Sequence, residues 1–156
     1  MQIAWIDIAS QSLRTIHQEW IRQRGSKMLP SFADYEAFTH STAAAPLLDQ
    51  SAFLVVPPNE APVFRRIEPA VARLVGGCTP GDRVTAMSSM VDRVNVAQPF
   101  LKVVTTRQPL CRRQQPNAKG DNAHEVLMLP FSDGGLKVRL IHAVYDLRGV
   151  DWKRFF

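Results

Sequence analysis

Between Val126 and Tyr145 the chain runs apolar twice across a turn, and that repeat limits the architectures open to it. Residues 126–131 are apolar without interruption, Ser132-Asp133-Gly134-Gly135 is a turn cluster, and 136–145 alternates. Two such runs across a Gly-containing connection predict a β-hairpin. A hairpin of this kind is marginal alone and needs further strands to cover it. The rest of the chain must therefore supply a sheet and the helices that bury it.

At 156 residues, 46% apolar and 21% charged, the chain is long enough for one domain with a substantial core. No stretch approaches the roughly 18 uninterrupted apolar residues of a membrane span. Residues 1–8 carry Asp7 and no basic side chain, unlike the start of a secretory signal. A cytoplasmic protein with no membrane partner is expected. Cys78 and Cys111 have no close metal-ligand spacing and are expected as free thiols; no metal is expected.

Upstream, Ser12 is a cap candidate, and Leu13, Ile16, Trp20 and Ile21 fall at helical spacing before Gly25, which predicts a helix over 9–24. Met28-Leu29-Pro30 is an apolar connector, and 34–38 and 43–48 read as short helical turns. Strands are predicted over 52–56, 63–67, 110–114, 126–131 and 136–145. Pro69 and Gly76 bracket a short helix. Loop 76–81 has paired glycines but no subsequent Gly-Lys-Ser/Thr, so it is no P-loop. Ser89-x-x-Asp92 opens a helix in which Met90, Val94, Ala97, Leu101 and Val104 share a face, and Pro99 should kink or split it. Residues 115–123 are polar and predicted as an exposed loop.

The expectation is an α+β chain with one five-stranded antiparallel sheet. Helices between the second and third strands cover one face, and the N-terminal helix flanks the other. Residues 1–50 are then a helical flank, 51–150 the core and 151–156 a tail.

By the period of two, Leu136, Val138, Leu140, His142 and Val144 share one face of the last strand. His142 can then contact a ligand or bind haem iron; the alternative is a packed core histidine. Lys137, Arg139, Ile141, Ala143 and Tyr145 form the other face, open to a second subunit or to the first helix. Met87, Met90, Phe100 and Met128 are candidates to line a cleft. His17 reads as packed, and His124-Glu125 as surface at a strand border. No nucleophile–base context surrounds any histidine.

The net charge of +5 lies entirely in residues 79–156. Arg93, Lys102, Arg107, Arg112, Arg113 and Lys119 fall in a window without acids. Such a window suits phosphates or nucleic acid, although only Phe100 offers a stacking ring there. A solvated face is the alternative.

The chain resembles a bacterial, single-domain PAS-like family. The residues that carry the resemblance are Trp20 near the end of the first helix, Leu29-Pro30, the apolar strand 53–56, Phe64-Arg65-Arg66, the Gly76 to Gly81 step, and Leu129-Pro130-Phe131-Ser132-Asp133-Gly134. It departs from that pattern at Glu68-Pro69, where Gly-Thr is usual, and at Cys78, where an acidic residue is common. The resemblance implies a non-catalytic sensory or regulatory domain that binds a small molecule or docks a signalling protein. The expected ligand contacts are Arg66, Met87, Phe100, Met128 and His142, and the expected partner or homodimer contacts are Trp20 and Tyr145. Haem and flavin are not expected, and the cofactor is unassigned. The alternatives are a nucleic-acid- or phosphate-binding regulator using 93–119, and a small-cavity isomerase or hydrolase.

Overall fold

The first helix starts where Ser10 turns its hydroxyl back to accept the Leu13 N–H at 3.1 Å, so the cap is Ser10 and not Ser12. In the computed structural model, which describes residues 7–114 and 123–148, this helix is α1, Gln11–Arg24. Gly25 ends it at a φ of 59°, and its N–H donates to the Ile21 carbonyl at 3.1 Å. A reciprocal Ser31–Asp34 capping box opens α2, Phe32–Thr39. A 3₁₀ turn, Ala45–Gln50, then delivers the chain to the sheet.

The sheet is built from β1 Ser51–Val55, β2 Val63–Ile67, β3 Leu110–Gln114, β4 His124–Phe131 and β5 Leu140–Asp146. All pairings are antiparallel and the order is β2-β1-β5-β4-β3. The expected α+β class and single five-stranded sheet are present. The hairpin is longer-looped than expected: residues 132–139 connect β4 to β5, and Leu136 is exposed. Asp133 and Ser132 bond the backbone amides of Gly135 and Gly134, which stabilises a loop in place of a strand.

The two hairpins meet at the β1–β5 pairing, which pairs Phe53 with His142 and Ser51 with Val144. Phe53, Leu127, Leu129, Phe131, His142 and Val144 therefore share the face that α1 and α2 cover; Phe38 and Tyr35 pack on Phe131 there. Leu54, Phe64, Val126, Met128, Ala143 and Tyr145 share the other face. Phe100 packs edge-on against Phe64 and places the central helices on that side.

Those helices are α3, Met90–Asp92, a π-helical segment Arg93–Ala97, and α4, Gln98–Thr106. Pro99 directly follows the π segment within one continuous helical run, so its missing N–H removes a helical bond there, and the expected split of the helix falls just before it. The π segment adds a residue to the turn and rotates the α3 side chains by roughly 100° relative to those of α4. The expected stripe is broken as a result. Ala97, Phe100 and Val103 are buried, whereas Met90 and Val94 are 66% and 42% exposed. The helix expected between Pro69 and Gly76 is a 3₁₀ turn, Pro69–Leu74.

Trp20, Pro30, Pro130 and Ser132 meet in space. The Trp20 indole N–H donates to the Pro130 carbonyl at 2.9 Å, and the Ser132 N–H donates to the Pro30 carbonyl at 2.8 Å. They form a clasp that pins α1 and its exit to the β4 terminus. At the other end of α1, Glu125 is fully buried and accepts the Ala9 and Ser10 amides at 2.9 and 2.8 Å, with Arg113 at 3.1 Å. His124 and Glu125 are thus buried strand residues, not the surface border expected of them.

The outer edge of β2 is closed by returning chain. The Phe64 N–H donates to the Asp82 carbonyl, the Gly81 N–H donates to the Phe64 carbonyl at 2.7 Å, and Val63 bridges to Arg83. Residues 115–122 of the predicted loop, Lys119 among them, and the tail 151–156 lie outside the described residues.

Candidate functional site

Antiparallel register sets which side chains can meet. Met128 pairs with Ala143 and Val126 with Tyr145, so these four face the central helices together. Between that face and the α3–α4 segment lies a cavity of about 590 Å³. Val126, Met128 and Phe100 give it an apolar lining, while Arg112, Gln114, Asn95 and Asp92 supply polar groups. Its size and mixed lining fall within the range of small-molecule sites.

Tyr145 is the notable wall. It is 2% exposed, and its ring lies 6.2 Å from that of His124. Burial pushes its phenol pKa up, so it stays a neutral donor. Arg112, reached from β3 on the same face, is half-buried and has no ion-pair partner among the described residues. Asn95 and Val96 come from the π segment, so the irregular turn of the helix lies against the cavity.

Of the residues expected to hold a ligand, Phe100 and Met128 line this cavity. Met87 is buried beside Gly76 and is not part of the wall; Met90 points to solvent. Arg66 and His142 are on the opposite side of the sheet. The expected assignment of faces in β5 is therefore inverted: Tyr145 faces the central helices and His142 faces α2. Trp20 and Tyr145, expected as partner contacts, are 1% and 2% exposed and present no surface to a second subunit. Sequence reasoning missed Tyr145, Asn95 and Gln114 as cavity residues. The hairpin register decides the matter: with Met128 at the cavity, position 145 is there and 142 is not.

Among the described residues the basic window does not form one face. Arg112 lies at the cavity, whereas Arg113 turns to the opposite face and pairs with Asp7 and Glu125. Arg93 folds back onto the Ser88 and Ser89 carbonyls, and Arg107 reaches the Leu136 carbonyl. Lys102 is exposed on α4.

A second cavity of about 490 Å³ lies on the α2 side, walled by Tyr35, Phe53, Leu48, Arg66, Glu68 and His142. The Tyr35 hydroxyl and His142 Nδ1 are 2.8 Å apart. His142 is thus a core histidine bonded to a side chain. Burial, reinforced by the Arg66 charge, lowers its pKa to about 4. Burial also raises the Tyr35 phenol to about 12, against an opposing pull from Arg66.

Both cysteines are free thiols. Burial pushes both thiols up; the acidic neighbours Asp82 and Asp92 add to this at Cys78, and Glu125 does so at Cys111. Neither is activated as a nucleophile. Among the described residues no group of three metal-ligating side chains converges, and no helix is long and apolar enough to cross a membrane.

No family model, curated protein or solved structure matches the chain.

Proposed function

We propose that this is a PAS-like sensory or regulatory domain that holds a small amphiphilic molecule between its sheet and its central helices. The reading rests on one observation: Tyr145 stands with Phe100, Met128 and Arg112 in the wall of a cavity of about 590 Å³ between the sheet and the central helices. A ligand that accepts a hydrogen bond from the Tyr145 hydroxyl gains about 0.5–1.5 kcal/mol net. Arg112 favours a ligand with an anionic or strongly polar head, and Phe100, Met128 and Val126 favour an apolar body. The domain relays the signal by population shift: the ligand contacts the π segment and biases its turn, changing the surface offered to a signalling protein. Among the described residues the basic window is dispersed and gives nucleic acid no continuous track, so this reading is preferred to a phosphate-binding regulator.

Native mass spectrometry of the protein purified from its own host tests the proposal. Wild type should carry a small-molecule adduct, and Tyr145→Phe, which preserves the ring, should lose most of it while unfolding at a similar temperature. An adduct-free wild type, or one whose adduct survives both Tyr145→Phe and Arg112→Gln, overturns it.

A further inference from the structure

Strand register sorts the chemistry of the cavity between the sheet and the central helices into rows. Gln114 pairs with His124 in one row. Arg112, Val126 and Tyr145 form the next, and Leu110, Met128 and Ala143 the one after it. Ile141, Leu54 and Phe64 make a further row, and Phe100 packs edge-on against Phe64. Alternate residues on a strand are about 6.6 Å apart, so the Arg112 row and the Phe64 row are separated by about 13 Å. The cavity is therefore polar at one end, with Arg112, Gln114, His124 and Tyr145, and apolar toward Met128 and Phe100.

The charge at the polar end is one-sided. Arg112 is half-buried and has no ion-pair partner among the described residues, so an anion set against its planar fork gains a charge-assisted contact. Arg73, the other arginine of the wall, is already engaged within the protein. The acid of the wall, Asp92, stands in the first turn of the helical run that Ser89 caps, where the backbone dipoles favour its charge. From that position it repels a second negative charge. One unpaired cation facing one fixed carboxylate suits a monoanion, and a phosphate monoester carries nearly two charges at neutral pH.

We propose that the ligand of this cavity is a monocarboxylate with a medium-length apolar body, its carboxylate on Arg112 beside Gln114 and Tyr145 and its body running along Val126 and Met128 toward Phe100. This inference rests on the reading of the cavity as a ligand site and adds the charge, the head group and the orientation.

The test uses octanoate and three probes with the same chain: octanol, octylamine and octyl phosphate. Calorimetry on the full chain should give saturable octanoate binding at about 1 mM or tighter. Octanol should bind about tenfold more weakly, by loss of the charge-assisted contact. Arg112→Gln should bring octanoate down to the level of octanol. Octanol should bind that variant as it binds wild type, which separates a lost contact from a lost fold. Asp92→Asn should not weaken octanoate. In methionine-methyl NMR the largest shift on saturation should be that of Met128. A shift confined to the exposed Met90 puts the probe on the helix surface and overturns the proposal. Absence of saturable octanoate binding to folded wild type also overturns it, as does an octanoate affinity unchanged in Arg112→Gln. Tighter binding of octylamine or octyl phosphate than of octanoate overturns the monocarboxylate but leaves a ligand in the cavity. The ligand site itself falls only if the protein from its own host carries no adduct or one indifferent to Tyr145→Phe and Arg112→Gln.

Discussion

Protonating His142 inside the folded protein should be costly enough to give it a visible place in the pH dependence of stability. Its folded pKa is lowered from an ordinary 6.5 to about 4, chiefly by burial. A difference of about 2.5 in pKa, at 1.36 kcal/mol each, is about 3 kcal/mol. The folded pKa is the lower one, so the unfolded chain takes the proton first. The contribution is fully present above pH 6.5 and is lost as pH falls from 6.5 to about 4. His17, also lowered by burial and by Arg24, moves stability in the same direction. Urea unfolding of wild type and His142→Gln at steps between pH 7.5 and 4 separates the two, because every other group cancels in the difference. Wild type should lose about 3 kcal/mol more than the variant over that range, whatever the offset at neutral pH. Ring-proton NMR of wild type gives the same quantity directly: the His142 resonance should hold its neutral position down to about pH 5. In Tyr35→Phe the pKa should stay low, since burial and not the Tyr35 contact is the main cause. Parallel stability curves, or a His142 ring that titrates near 6.5, would refute the reasoning.

Glu125→Ala should lower stability by about 3 kcal/mol or more by thermal unfolding. It strips two backbone amides of their acceptor and leaves the Arg113 charge poorly compensated. Gly76→Ala should cost about 1–3 kcal/mol, because the residue holds a φ of +64° and its new Cβ would sit 2.5 Å from Met87 Sδ. Adding Met87→Ala should relieve the clash but not the backbone strain, so the pair should be non-additive. Trp20→Phe should cost about 1–3 kcal/mol by orphaning the Pro130 carbonyl, read as a lower urea midpoint.

The elements whose signals are local were legible from the chain. Gly25 and the Leu13–Ile16–Trp20 spacing gave α1, and turn chemistry with β-branched runs gave all five strands to within a few residues. What was not legible depends on pairing. β5 is buried on both faces from Leu140 to Asp146, so period-two alternation had no solvent side to orient it, and His142 and Tyr145 exchanged roles. The loop 132–139 hid the register that would have resolved this. The π segment was only half legible: Pro99, two residues beyond it, marks the interruption, but a proline does not tell a kink from an added residue, and Met90 and Val94 lost their burial. His124-Glu125 was misread because an ionisable pair at a strand start looks like a boundary, whereas Glu125 is retained inside by amides that arrive from residues more than a hundred positions away.

The closure of β2 by residues 81–84 bears on self-association. A sheet ordered β2-β1-β5-β4-β3 has two borders at which an extended segment of another molecule can add as a sixth strand. One is already occupied by the molecule's own backbone at Phe64. A sixth strand would meet that backbone at Phe64, whereas at the Leu110–Gln114 border the described residues place no competing backbone.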